Sequence, residues 1–167
     1  MEEIKVNLDN LTNEERETLL KLVEKGNRQV KRRWRGGEND TYYSVSNCGD
    51  ITSDYEYGCA YDKQSYRLGN YFKTEEEAVF ARERQLVYQQ LSDYALEHNT
   101  ELIDWNNYNQ LKWCINYAYA HEELKYCWSG FTRDINQIYF TSEEIAKAAV
   151  KEIGEDNIKK YLFGVGE

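Results

Sequence analysis

Two hydrophobic patterns alternate along this chain: short aromatic stretches with period two, and longer stretches whose apolar residues recur every three to four positions. The first helical stretch is announced by Thr12-Asn13-Glu14-Glu15 ahead of Leu19, Leu20, Leu22 and Val23. A Thr-x-x-Glu spacing lets side chains and backbone amides cap each other, so a helix is predicted over 13–25, with Gly26 and Asn27 in its closing left-handed turn. After a basic segment, Gly36-Gly37 marks a break, and residues 42–46 and 51–55 flank Asn47-Cys48-Gly49-Asp50, which has the chemistry of a tight hairpin turn. Neither register gives this hairpin a clean apolar side, so its register stays open. Residues 58–65 read as a polar loop and 66–72 as a strand that completes a three-stranded sheet.

Thr74 stands three residues before Glu77, which predicts a capped helix over 75–97 with Glu75, Glu76 and Glu77 at the positive end of its dipole. Phe80, Val87, Leu91 and Tyr94 fall on one side of it, with Tyr88 and Ala95 at the edge. Arg84 lies inside that stripe; its stem is expected to pack and its head to reach solvent, with Glu77 two turns away. His98, at the end of the same face, reads as a packing residue.

Residues 99–109 form a polar connector with Trp105 as its aromatic anchor. Beyond it, a turn at Ala120-His121 sets Trp113 opposite Trp128, Ile115 opposite Tyr126, Tyr117 opposite Leu124 and Tyr119 opposite Glu122. One face of this hairpin is then almost wholly aromatic or aliphatic. Residues 138–140 read as a further strand. A helix follows Thr141-Ser142-Glu143-Glu144 with Ile145, Ala146, Ala149, Val150 and Ile153 on one stripe; Gly154 ends it, and 156–163 forms a last short helix. Tyr139-Phe140-Thr141-Ser142-Glu143-Glu144-Ile145-Ala146 matches Tyr71-Phe72-Lys73-Thr74-Glu75-Glu76-Glu77-Ala78 at a constant offset. The predicted fold is therefore α+β: an N-terminal helix followed by two βββα-like units, each antiparallel sheet covered by a helix. The boundaries are 1–98, a connector at 99–109, and 110–167.

Charge changes the functional picture more than the structural one. A formal net charge of −9 repels phosphate backbones and favours a partner protein with a basic surface. The exception is Arg28, Lys31, Arg32, Arg33 and Arg35 around Trp34. The candidate partner-binding set is Arg32, Arg33, Trp34, Arg35, Tyr42, Tyr43 and Tyr55, and a candidate nucleotide-binding set is Arg67, Arg84 and Arg133. No apolar run approaches the roughly 20 residues of a membrane span, so the expectation is a soluble protein in the bacterial cytoplasm that contacts no membrane. Cys48, Cys59, Cys114 and Cys127 include no CxxC pair and read as reduced thiols; no metal site or cofactor is expected. Catalysis is not expected either. There is no phosphate loop and no triad ordering, and Glu122-Glu123 beside His121 reads as a hairpin tip.

The Thr-x-Glu-Glu-Arg first helix, Trp34 with Tyr42-Tyr43, the 69–78 junction and the closing 139–146 and 158–164 segments resemble small uncharacterised proteins of phages and prophages of Gram-positive bacteria. Locally, Tyr43, Val45, Ser46, Asn47, Gly49, Ile51 and Ser53 are similar to the DNA-binding hairpin module that accompanies phage HNH homing endonucleases. Asp50 stands where that module usually carries arginine, and the nuclease is absent. The resemblance implies a phage source more than a function; the acidic helix starts and acidic surface lead to the expectation of an accessory protein acting by stoichiometric binding, with inhibition of a host defence system in the manner of anti-CRISPR proteins as its most concrete form. The alternatives are a nucleic-acid-binding module and a sponge for a nucleotide second messenger.

Overall fold

The computed structural model describes residues 11–27 and 33–166 of the 167-residue chain. It divides into two compact units, Met1–Trp34 and Arg35–Glu167. In the first, helix α1 (Asn13–Asn27) begins with the expected reciprocal cap: Glu15 N–H donates to Thr12 Oγ1 at 3.3 Å and Thr12 N–H to the Glu15 carboxylate at 2.8 Å.

The second unit is α+β, with four helices and two antiparallel two-stranded sheets among the described residues. Strands β1 (Thr41–Val45) and β2 (Ile51–Tyr55) pair with Tyr42 opposite Asp54 and Ser44 opposite Thr52. Tyr42 and Ser44 are the buried side chains of β1, and the Ser44 and Thr52 hydroxyls hydrogen-bond at 3.0 Å. The buried face is thus mixed in polarity, which is why no apolar alternation marks it in the sequence. The turn holds itself: Ser46 Oγ accepts the amides of Cys48 and Asp50, and Gly49 sits at φ 87°. Ser46 and Gly49 therefore have structural roles in this hairpin.

The expected loop at 58–65 and strand at 66–72 are instead helix α2 (Ala60–Leu68), closed by Gly69 at φ 86°. Its buried residues are Asp62 and Ser65, so it lacks the apolar stripe by which a helix is recognised. What remains of the third strand is smaller and built partly from a side chain. Phe72 exchanges both backbone hydrogen bonds with Tyr43 at 2.9 Å each. Two residues earlier, the Asn70 amide side chain imitates a strand by accepting from Val45 N–H at 2.7 Å and donating to Val45 C=O at 2.8 Å.

The second half repeats this device. In β3 (Lys112–Ala118) and β4 (Glu123–Ser129) the register is the one predicted, with Trp113 opposite Trp128 and Ile115 opposite Tyr126. The strand expected at 138–140 reduces to Phe140, which exchanges both backbone bonds with Trp113 at 2.8 Å, while Gln137 Nε2 donates to Ile115 C=O at 3.0 Å. Each two-stranded sheet thus receives one bridging phenylalanine and one amide side chain on its inner strand.

Both junctions then enter helices. Thr74 Oγ1 caps α3 (Glu75–His98) by accepting from Glu77 N–H at 3.3 Å; the Glu77 carboxylate reaches back to Lys73 N–H, one residue earlier than the expected Thr74. Ser142, not Thr141, caps α4 (Glu143–Ile153). Thr141 is engaged by Asn99, whose side chain accepts from Thr141 N–H at 2.9 Å and donates to Tyr139 C=O at 3.1 Å, tying the end of α3 to the start of α4. Helix α5 (Glu155–Phe163) follows at once.

Helix α3 packs against β1 and β2 as well as α4 and α5. Val87, Leu91 and Ala95 join Ile115, Leu124, Phe140, Ala146, Ala149, Val150 and Ile158 in one apolar core. The connector after α3 is anchored by Trp105, which meets the Tyr139 ring edge-on at 4.9 Å. Beneath it, fully buried Lys112 donates to the carbonyls of Asn107 and Gln110 at 2.7 and 2.8 Å.

Candidate binding cleft

The apolar stripe of α3 is longer than the surface that the other described residues cover. Its later residues, Val87, Leu91 and Ala95, lie in the core, whereas Phe80 remains 38% exposed. Phe80, Arg84 and Tyr88, successive on one helix face, open into a cleft of about 970 Å³. Ile138 and the α5 residues Leu162 and Phe163 also line it, and Leu91, Ile115, Phe140 and Ile158 are its buried lining residues. Glu76 and Glu77, from the first turn of α3, also line the cleft. A second hollow shares Glu76 and Phe80 with the first and adds Glu75 and Lys160, with Tyr161 leaning on Phe80 at 5.3 Å between ring centroids. Among the described residues no carboxylate lies within ion-pair distance of Arg84, which is exposed as expected. The cleft therefore offers apolar walls, acidic side chains from a helix N-terminus, and one cation farther along the helix.

The residues singled out in the sequence are distributed differently. Arg32, with Arg28 and Lys31, lies outside the described residues. Arg33 is exposed and Trp34 half-buried in the first unit. Arg35 clamps Glu56 bidentately, with Nε and Nη2 3.1 and 3.0 Å from its two carboxylate oxygens. Tyr42 is not on the surface at all: it is fully buried, stacks on Tyr71 at 4.0 Å, and donates to Asp62 at 3.1 Å. This corrects its expected place in a partner-binding surface. The Tyr71 ring covers its face and Asp62 takes its hydroxyl, which leaves nothing of it at the surface. Tyr43 is half-buried and Tyr55 exposed. Of the nucleotide-binding set, Arg84 alone lines the cleft; Arg67 sits in the last turn of α2, and the Arg133 guanidinium lies 5.7 Å from the Trp105 ring centroid.

Arg35 and Tyr42 belong to a buried polar network that the sequence did not reveal, because its members lie up to 36 positions apart. Glu56 accepts from Arg35, from the Tyr71 hydroxyl at 2.8 Å and from Gly58 N–H at 2.8 Å. The arginine hydrogen bond, helped by the other two, holds its pKa below the usual carboxylate value despite burial. Burial pushes Asp62 upward, but the amides of Tyr57 and Cys59 together with the Tyr42 hydroxyl outweigh it and leave it lowered. Burial raises both tyrosines, Tyr71 to about 12.

These shifts predict a stability profile. Lowered carboxylates contribute stability that is present above their unfolded pKa and lost as pH falls through the folded values, so thermal unfolding should move down below about pH 4. Raised tyrosines contribute stability that is present below about pH 10 and lost as pH rises toward their folded values. Melting temperature measured across pH checks both limbs. Glu56→Gln should flatten the acid limb, and an unchanged limb would remove Glu56 from the account.

At this point the fold defines a small α+β protein that carries an open cleft with apolar walls and acidic side chains. No protein-family model, no curated protein and no solved structure matches the chain. Among the described residues, no group of histidine, cysteine and carboxylate side chains is arranged to hold a metal ion, and no helix is long and apolar enough to cross a membrane.

Proposed function

We propose that this chain is a phage-encoded accessory protein that works by stoichiometric binding, docking the α3–α5 cleft onto an apolar-anchored, lysine- or arginine-rich surface of a host or phage protein. Inhibition of a host defence system, in the manner of anti-CRISPR proteins, is the most concrete form of this role. The observation that supports the reading is an acidic helix start beside an exposed apolar side chain: Glu75, Glu76 and Glu77 lie beside Phe80 on a chain of net charge −9. An apolar anchor seated against Phe80 and Phe163 would supply affinity, and the acidic helix start would steer and orient basic flanks. Two residues of the nucleic-acid alternative are engaged in the interior, since Arg35 pairs with Glu56 and Tyr42 is buried.

The test is capture from a host lysate with native chain and three variants. Phe80→Asp and the double change Glu75→Lys with Glu76→Lys should each weaken the specific complex at least tenfold, and the native complex should weaken as salt rises. Arg84→Glu should leave a basic partner bound. If Arg84→Glu abolishes binding while the glutamate reversals do not, the cleft takes an anion and the nucleotide reading replaces this one. Capture that is indifferent to all three variants would remove the cleft from the function.

A further inference from the structure

The β3–β4 hairpin places two free thiols opposite each other on the face that turns away from the apolar core. Cys114 and Cys127 are direct partners in the register, with parity opposite to Ile115, Leu124 and Tyr126. Trp113 spends its N–H and C=O on Phe140, so its pairing with Trp128 is of the non-hydrogen-bonded kind and the next pair, Cys114 with Cys127, is hydrogen-bonded. Cα atoms in such a pair are about 5.5 Å apart, inside the range of about 4.4–6.8 Å that disulfides span.

The two thiols are not equivalent. Cys114 is 4% exposed, whereas Cys127 is exposed. Burial, then the neighbouring Cys127, pushes the Cys114 thiol up to about 11. Cys127 is therefore the sulfur that solutes reach, and Cys114 the one that only a neighbour reaches.

We infer that Cys114 and Cys127 form a reversible cross-strand disulfide by exchange with a small-molecule disulfide of the oxidised-glutathione class. The Cys127 thiolate attacks one sulfur of the oxidant; the oxidant's S–S bond breaks, one thiolate leaves, and a mixed disulfide stands on Cys127. Cys114 then gives its proton to the departed thiolate, and its sulfur attacks the Cys127 sulfur and expels the second small thiolate, which takes up the proton that Cys127 lost. Two protein thiols are oxidised to one disulfide, and one small disulfide is reduced to two thiols. Cβ atoms in a hydrogen-bonded pair stand near the upper end of about 4.5–5.5 Å, whereas a disulfide draws them to about 3.5–4.5 Å, so closure must shear β3 against β4. Such strain makes the bond easy to reduce, which suits a switch better than a permanent staple. The sheared strand carries Ile115, the next residue and part of the cleft lining.

The experiment treats the folded chain with oxidised glutathione, blocks the remaining thiols, digests without reductant and identifies crosslinked peptides by mass. The expected product joins Cys114 to Cys127, disappears on adding reduced glutathione, is absent in Cys127→Ser, and persists when Cys48 and Cys59 are both serine. Because Cys127 is exposed, Cys127→Ser should keep its near-ultraviolet circular dichroism. A stable glutathione adduct on Cys127 with Cys114 still free, a crosslink through Cys48 or Cys59, or no reaction at either sulfur would each overturn the inference.

Discussion

Phe140→Ala should destabilise the Arg35–Glu167 unit by about 3–5 kcal/mol, the range for removing a fully buried aromatic side chain. Phe140 has no exposed surface and joins residues from α3, β3, β4, α4 and α5 in the core. Its backbone is also the last link of the β3 sheet through Trp113, so a cavity here loosens the point where sheet and helices meet. In chains of this size each kcal/mol moves the melting temperature by about 2–4 °C, so a drop on the order of 10 °C is expected. Urea unfolding should show a lower midpoint with the slope retained. Phe140→Leu should recover most of the loss because it refills most of the volume and leaves the backbone bridge intact. A loss under about 1 kcal/mol for the alanine variant would mean that the core is not centred on this residue.

Asp62→Ala is the second large effect, at about 3 kcal/mol. Asp62 is buried and accepts from the Tyr42 hydroxyl, Tyr57 N–H and Cys59 N–H. The Tyr42 hydroxyl is the costly one, because a phenol sealed beneath Tyr71 finds no replacement acceptor and carries a penalty of about 1–3 kcal/mol. The two amides open α2, where water can reach Tyr57 and Cys59, so each adds less. Asp62→Asn keeps one carbonyl oxygen and should cost about half as much. Hydrogen exchange gives the decisive signature: the amides of α2 should exchange faster in Asp62→Ala while those of α4 stay protected. Equal acceleration in both helices would mean that Asp62 holds the whole unit and not one helix start.

Three helix starts that depend on residues within four positions were legible in the sequence. Thr12, Thr74 and the Thr141-Ser142 pair announced three helix starts because capping joins a side chain to an amide three residues away. The β3–β4 register followed from period two, since sliding it by one would have turned Trp113, Ile115, Leu124 and Tyr126 out of the core. Helix α2 failed the same reading because the residues it buries, Asp62 and Ser65, are polar and its aromatics imitate a strand. The local signals that would have found it are Asp62 three residues after Cys59, as a helix start, and Gly69, as a left-handed stop.

The candidate site shows the same division. The sequence by itself determined the amphipathic α3, its acidic first turn, the presence of Arg84 on the apolar stripe, and the phenylalanine junctions that deliver the chain into α3 and α4. Only the tertiary structure decided how much of that stripe is covered, because cover comes from α5 and from the 136–138 segment, some 50–80 residues away. It also decided that Arg35 and Tyr42 serve the interior, through Glu56 and Asp62, carboxylates whose burial becomes tolerable only when every oxygen has a donor. Capping and strand alternation are short-range and leave their period in the chain. Burial, charge pairing and an uncovered cleft depend on which distant surfaces meet, and residue order carries no period for that.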